Sequence, residues 1–299
     1  RLFRPDMGNC NQGGPKEPFI KGKSKKGKKI EVPADDNFDN LEKVHALVVF
    51  CDYGFEPAKS LGWVAPGFGE KLDTAENAEM MVKILEDTGV DSISRLSNLQ
   101  ATKEAVLAEI KRVGELCDEN DTFFFFYSGH GNPMPDQDGD EEDGSDEAMC
   151  LPFADGSCNE GSWLRDDDFS LQVSEVTAGH KLIILDCCHS GSMLDFKKPI
   201  WQDQSAISIV GCKDMEESAA MGGGTRGGAF TKSVNAAVRS GNSSQANLVS
   251  VGHIFNCICK YSEEFIPAGH TQHITINCSP GIGPDMMAWP LNMPDEAVA

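Results

Sequence analysis

The sequence predicts an α/β fold with a mainly parallel central sheet and helices on both faces. The first observation is alternation: short apolar runs alternate along the chain with longer segments whose apolar residues recur at helical spacing. The second is that the strand-like runs are apolar at nearly every position, which is typical of strands covered on both faces. Helices between such strands supply the crossovers that parallel pairing requires.

The first half of the chain carries five of these elements from residue 44 onwards. Residues 44–51 (VHALVVFC) form an apolar, β-rich run that predicts the first buried strand. A helix is expected at 75–85, because its apolar residues recur three and four positions apart. The remaining elements of this half are a strand at 93–96, an amphipathic helix at 102–116 and a strand at 122–127.

The second half continues the same alternation. Residues 181–187 (KLIILDC) form its clearest buried strand, because the run is short, apolar and β-branched. The other expected elements are helices at 166–176, 229–238 and 249–263, and strands at 206–211 and 273–278.

Composition limits the classes of protein that the chain can belong to. Its 299 residues include 26 Lys and Arg against 47 Asp and Glu, a formal charge of −21, so we expect no nucleic-acid partner. No apolar run approaches the ~20 residues that span a bilayer, and residues 1–30 lack the apolar stretch of a secretory signal. Eleven scattered cysteines without such a signal predict reduced thiols in a cytoplasmic protein.

Residues 1–40 predict a basic, flexible N-terminal tail, because they are rich in Gly, Pro and Lys and lack periodicity. Residues 1–30 carry a net charge of +7, which leaves −28 on the rest. The tail is either a solvated linker or a patch that makes weak contact with anionic membranes. Met7-Gly8-Asn9-Cys10 resembles a lipidation start, so membrane association is expected if Gly8 is lipidated. Residues 41–299 are expected to form one domain.

Two strand ends carry polar residues flanked by glycine, namely YSGHG (127–131) and DCCHSG (186–191). Ligands of open α/β sheets bind outside the carboxyl ends of the strands, so a His and a Cys delivered there can face each other. His130 could take a thiol proton, stabilise the thiolate and later protonate a leaving amine. Strand alternation allows only one of Cys187 and Cys188 to face the cleft, and the residues alone do not choose between them.

These motifs, with the acidic stretch GDEEDGSDE between them, resemble the metacaspases of the caspase-like clan of cysteine peptidases. The resemblance covers residues 44–280. It implies a large-subunit-like region at 41–196 followed by a small-subunit-like region at 204–299, an order similar to type I metacaspases without their long proline-rich prodomain. A caspase-like fold and a monomer are expected from it.

The resemblance also implies roles for the residues at the two strand ends. The family pattern Asp-x-Cys-His-Ser-Gly makes Cys188 the nucleophile, and His130 becomes the general base and acid. The backbone amides of Gly131 and Cys188 would donate hydrogen bonds to the oxyanion.

Metacaspases cleave after Arg or Lys, and their pocket for the basic side chain carries over to Ser128 and Asp186. A second pocket carboxylate of the family matches this sequence less clearly. Asp73, Glu76 or Asn77 could be its counterpart, and we take Asp73.

Residues 136–147 hold eight acids among twelve positions. Such a run is either a solvated acidic loop or part of a cation site, since calcium takes six to eight oxygen ligands. The resemblance implies a calcium site with calcium as a stimulating cofactor. Its ligands would be Asp146, Asp166, Asp167 and Asp195, with Asp168 as a substitute if the register slips.

The sequence therefore predicts a calcium-stimulated cysteine endopeptidase acting on protein or peptide substrates with Arg or Lys before the cleaved bond. A catalytically weak calcium-dependent scaffold or regulatory protein is the alternative, which the altered 73–78 region favours and intact His130 and Cys188 oppose. A caspase-type enzyme that cuts after Asp would need Arg in its pocket, whereas the few basic residues lie away from the motifs.

Overall fold

The computed structural model describes residues 43–55, 72–137, 139, 144–213, 227–241 and 249–293. All of them belong to one of the two compact units into which the chain divides, residues 42–299. The basic tail at 1–40, including Gly8 and the expected lipid anchor, lies outside the described residues. Those expectations remain predictions.

The described residues form nine strands and five α-helices. The strands are β1 (Val44–Phe50), β2 (Ser92–Ser97), β3 (Thr122–Ser128), β4 (Gly131–Pro135), β5 (Ser145–Met149), β6 (Leu164–Arg165), β7 (His180–Asp186), β8 (Ala206–Val210) and β9 (Thr275–Cys278). The helices are α1 (Thr74–Asp87), α2 (Lys103–Gly114), α3 (Asp166–Ser174), α4 (Ala229–Gly241) and α5 (Val251–Phe265). No helix among these combines the length and the apolar character that crossing a bilayer requires.

The central sheet has the strand order β2–β1–β3–β7–β8–β9. Every neighbouring pair is parallel except β8 with β9, which is antiparallel. The predicted α/β architecture with a mainly parallel sheet is therefore confirmed. Ser128 at the end of β3 lies opposite Asp186 at the end of β7, so the two polar strand ends are level with each other.

Helices cover both faces of this sheet because its side chains alternate in direction. Phe124 and Phe126 of β3 join one apolar cluster with residues of α1, α4 and α5. Phe123 and Phe125 join a second cluster with residues of α2 and α3. All four phenylalanines are fully buried, which explains why β3 is apolar at consecutive positions.

A second, three-stranded antiparallel sheet has the order β4–β5–β6, and the sequence patterns did not predict it. β4 contains Pro133 and Pro135, which lack a backbone N–H and are tolerated because β4 is an edge strand. β4 begins directly after His130, and β5 carries Asp146. The small sheet therefore connects the predicted catalytic histidine to the predicted metal ligands.

Candidate active site

The two polar strand ends touch at Gly131. A Cβ atom added to Gly131 would lie only 2.0 Å from the backbone carbonyl oxygen of Cys188, so no larger residue fits there. Two residues earlier in each segment, the backbone N–H of Gly129 donates to the carbonyl oxygen of Asp186 at 3.4 Å. The chain segments that carry His130 and Cys188 are thus in direct backbone contact.

The backbone of His130 is held on both sides by tyrosine hydroxyls. Tyr53 Oη accepts a hydrogen bond from the His130 N–H at 2.9 Å, and Tyr127 Oη donates to the His130 carbonyl oxygen at 2.9 Å. The N–H of Cys150 donates to the same carbonyl at 3.0 Å. Burial lowers the pKa of the imidazole to about 4, so at neutral pH the ring is uncharged and able to accept a proton.

The two adjacent thiols have different surroundings. Cys187 is 1% exposed, belongs to the apolar cluster beneath α2 and α3, and burial raises its pKa well above the usual thiol value. Cys188 is partly exposed, and the next residue, His189, turns the chain with a φ of +52°. Cys187 Sγ lies 3.3 Å from the position of a Cβ atom at Gly131, but Cys188 is the only one of the two cysteines that is partly exposed.

Cys212, a third cysteine near the two strand ends, is fully buried. Its thiol donates to the carbonyl oxygen of Cys187 at 3.1 Å, and burial raises its pKa to about 12. A protonated, hydrogen-bonded thiol of this kind is chemically inert.

A buried polar cluster lies beside the strand ends and contains both predicted substrate-binding residues. Asn77 of α1 donates through Nδ2 to Ser128 Oγ at 3.0 Å and to Asp186 Oδ2 at 3.1 Å. Thr231 of α4 donates to Asp186 Oδ2 at 2.5 Å, and the N–H of Gly228 donates to Asn77 Oδ1 at 2.7 Å. All four side chains are buried, and among these four Asp186 contributes the carboxylate and the other three are neutral polar groups.

Asp73, the residue expected from the sequence as the second pocket carboxylate, is not part of this cluster. Its side chain is exposed at the N-terminus of α1, whereas Asn77 lies one turn later on the buried face of that helix. Of the three candidates considered, the structure brings Asn77 to Ser128 and Asp186. Thr231 was missed, and its only sequence signal was its place in the Gly227-Gly-Ala-Phe-Thr segment that contributed to the metacaspase resemblance.

Three of the four predicted metal ligands lie together. One oxygen from each of Asp146, Asp166 and Asp167 lies within 4.8 Å of the other two. Arg165 forms an ion pair with Asp146, and Lys198 forms one with Asp167. Burial is the main cause that raises the pKa of Asp166 to about 7, and it also raises the pKa of Asp146.

Asp195, the fourth predicted ligand, lies outside this group of carboxylates. It occupies a turn with a φ of +28°, and its Oδ1 accepts from the N–H of Lys197 at 3.3 Å. Its carbonyl oxygen accepts from the N–H of Lys198 at 3.0 Å, so the turn positions the lysine that pairs with Asp167. Asp168, the proposed substitute, is exposed on α3. Part of the acidic run, at 138 and 140–143, lies outside the described residues.

Comparison with known proteins agrees with this geometry. Residues 71–197, which include both strand ends and the carboxylate group, match the family model of the metacaspase, peptidase C14 domain. This part of the chain is therefore similar to the peptidase domain of metacaspases. Metacaspase-1 of Cryptococcus neoformans is 41% identical over 96 residues, which are 31% of this chain and 20% of that protein. Metacaspase-1 of Pyricularia oryzae is 32% identical over 152 residues, 47% of this chain and 36% of that protein.

These matches span between a fifth and about a third of the length of the curated metacaspases. A crystal structure of a Geobacter sulfurreducens protein is similar over 84% of this chain and 99% of its own, with a TM-score of 0.61. Its sequence is 22% identical, so it supports the α/β fold alone.

Proposed function

We propose that this metacaspase-like domain is a cysteine endopeptidase in which Cys188 is the nucleophile and His130 the general base and acid. The contact of Gly131 with the Cys188 carbonyl carries the proposal, because it brings the backbone of the partly exposed cysteine against the residue that follows the histidine. The matched family supports the same reaction class. Activity, substrates and cofactor of the whole protein are inferred on this basis.

The reaction begins with the Cys188 thiol and a neutral His130. His130 takes the thiol proton as the sulfur attacks the scissile carbonyl carbon, and the negative charge develops on the carbonyl oxygen. Backbone N–H groups of Gly131 and Cys188 would stabilise that charge. His130 then protonates the leaving amine, and a thioester remains on Cys188. Water attacks the thioester, His130 takes a proton from the water, and the acid product leaves as the thiol is restored.

Specificity for Arg or Lys is inferred from Asp186. Asn77 and Thr231 both donate to its Oδ2 atom, so the carboxylate is fixed in place and ready to meet a basic side chain. A substrate guanidinium or ammonium group can form charge-assisted hydrogen bonds with a carboxylate held in this way. Asn77 is neutral, so it adds no second negative charge beside Asp186.

Hydrolysis of matched fluorogenic peptides tests this proposal. For peptides with Arg or Lys before the cleaved bond, kcat/KM should be at least roughly 100-fold higher than for the same peptide with Asp. This ratio corresponds to about 3 kcal/mol in binding free energy between a side chain whose charge pairs with Asp186 and one that Asp186 repels. Turnover of the Asp peptide in preference to the Arg peptide would instead support a caspase-type specificity and overturn the assignment of Asp186.

We also propose that calcium binds the carboxylates of Asp146, Asp166 and Asp167. The donor set suits it, because calcium prefers oxygen ligands at 2.3–2.6 Å, and oxygens on opposite sides of such an ion are about 4.8 Å apart. Bound calcium would supply positive charge to three carboxylates of which two are buried. Arg165 and Lys198 now neutralise part of that charge, and Lys198 belongs to the turn that follows Cys188.

Replacing Asp166 with Asn should reduce calcium affinity by at least roughly 10-fold, because a buried ligand oxygen loses its charge. Isothermal titration calorimetry measures this directly, and the stimulation of peptide hydrolysis by calcium should fall in parallel. Asp168→Asn is the matched control, since it removes the same charge from an exposed site on the same helix. Equal calcium affinity in D166N and D168N would contradict the site.

We propose a reducing compartment such as the cytosol. Each of the ten cysteines that the described ranges contain is a free thiol, including six that are buried. Disulfides are rare in such compartments, and a nucleophilic Cys188 requires its thiol to stay reduced.

A further inference from the structure

We propose that Tyr53 is a positioning residue of the catalytic site, which orients His130 towards Cys188. The inference rests on the proposed peptidase function and adds a residue that neither sequence motif contains. Tyr53 follows β1 and contacts His130 through both its hydroxyl group and its ring.

The hydroxyl group of Tyr53 both accepts and donates a hydrogen bond within the chain around His130, and it also lies 3.4 Å from Tyr127 Oη. It accepts from the His130 N–H at 2.9 Å and donates to the Cys150 carbonyl oxygen at 2.7 Å. The Cys150 N–H donates in turn to the His130 carbonyl oxygen at 3.0 Å. Tyr53, His130 and Cys150 therefore form a closed ring of hydrogen bonds that fixes the histidine backbone.

The aromatic ring of Tyr53 fixes the imidazole itself. The two ring centroids are 4.7 Å apart and the planes are inclined by 39°, within the range of favourable aromatic contacts. Tyr53 is 6% exposed, so its ring also shields that face of the imidazole from water. Shielding is consistent with the burial that lowers the pKa of His130.

The backbone of Tyr53 is strained. Its φ is +57°, a value that costs a bulky residue on the order of 1–3 kcal/mol. The turn is held by Asn98, whose Oδ1 accepts from the Asp52 N–H at 2.9 Å, and by Asp52, whose Oδ1 accepts from the Gly54 N–H at 2.9 Å. These bonds hold Tyr53 in the conformation that places its ring on His130.

Ser162 offers a matched control, because its hydroxyl is also buried and also hydrogen-bonds backbone groups, including the Asn159 carbonyl oxygen at 2.8 Å. It donates to the Leu151 carbonyl oxygen at 2.6 Å and accepts from the Asn159 N–H at 3.1 Å. Loss of either hydroxyl leaves backbone groups unpaired, at a similar cost of about 1–3 kcal/mol in stability. Only loss of the Tyr53 hydroxyl should affect His130.

The experiment compares wild type, Y53F, S162A and H130A in two assays. In peptide hydrolysis, Y53F should lower kcat by roughly 10- to 100-fold and leave KM within about 3-fold, because a misplaced base slows the chemical step. In the second assay, iodoacetamide modification of Cys188 is followed by tandem mass spectrometry. Y53F and H130A should both slow it, whereas S162A should match wild type in both assays.

The outcomes separate the two proposals. If H130A slows modification of Cys188 and Y53F does not, the role of Tyr53 is overturned while the catalytic pair stands. If H130A leaves the modification rate unchanged, the pair itself fails, and the role of Tyr53 fails with it.

Should thermal unfolding show that Y53F is not folded, Y127F replaces it. This variant removes the other tyrosine hydroxyl that bonds the backbone of His130. Its kcat should fall by a smaller factor, since the Cys150 N–H still donates to the same His130 carbonyl. An unchanged kcat in a folded Y127F would then contradict the proposal.

Discussion

Replacing Cys188 with alanine should reduce hydrolysis of an Arg fluorogenic peptide by at least roughly 10³-fold, whereas replacing Cys187 should leave it within about 3-fold. The first variant removes the atom that attacks the substrate. The second removes a thiol that is 1% exposed and whose pKa is raised well above the usual value by burial, so it is neither accessible nor ionised. Steady-state kinetics on the two variants, purified side by side, measure the difference.

Cys187→Ala is a demanding control, because it alters the residue next to the nucleophile. Its cost should appear in stability: removing a buried sulfur leaves a small cavity, worth on the order of 1 kcal/mol and visible as a lower Tm. Loss of activity in the Cys187 variant with retention in the Cys188 variant would reverse the assignment. Equal background hydrolysis by wild type and Cys188→Ala would instead favour the alternative function, a calcium-dependent scaffold.

The main sheet could be predicted because burial on both faces leaves a signature in the sequence. β3 and β7 are apolar at consecutive positions, and their alternating side chains fill two separate cores. β4 and β5 left no such signature, since one contains two prolines and the other is acidic and pairs within a small antiparallel sheet. Strand preference depends on the packing around a residue, so short strands without an apolar run are not recognised from local patterns.

Residues of the candidate site could be predicted from the sequence where they belong to a local motif. His130 and Cys188 stand at glycine-flanked strand ends, and glycine is required at 131 because the two backbones approach so closely. Asn77 was one of three candidates, and choosing among them needed the rotation of α1, which spacing alone leaves uncertain by a residue or two. Tyr53 had no signal, because its contacts with His130 depend on a strained turn after β1.

The second large effect is expected at Asp186. Its replacement by Asn keeps the size of the side chain and an oxygen that can accept from Asn77 and Thr231, but removes the negative charge. We therefore expect kcat/KM for Arg and Lys peptides to fall by roughly 100-fold, equivalent to about 3 kcal/mol, with much of the loss in KM. Because Asn77 is neutral, no second carboxylate in the described cluster compensates.

Asp73→Asn is the matched control for this prediction, since it makes the same chemical change at the exposed N-terminus of α1. It should leave kcat/KM within about 2-fold, because a surface charge is screened by water and salt. The ratio of kcat/KM between an Arg peptide and the matching uncharged Gln peptide distinguishes lost specificity from a disrupted site. Loss of charge recognition lowers kcat/KM for the Arg peptide alone, whereas a disrupted site lowers kcat/KM for both peptides. If Asp73→Asn lost Arg hydrolysis and Asp186→Asn kept it, the pocket would lie at the end of α1, and the buried carboxylate of Asp186 would be structural.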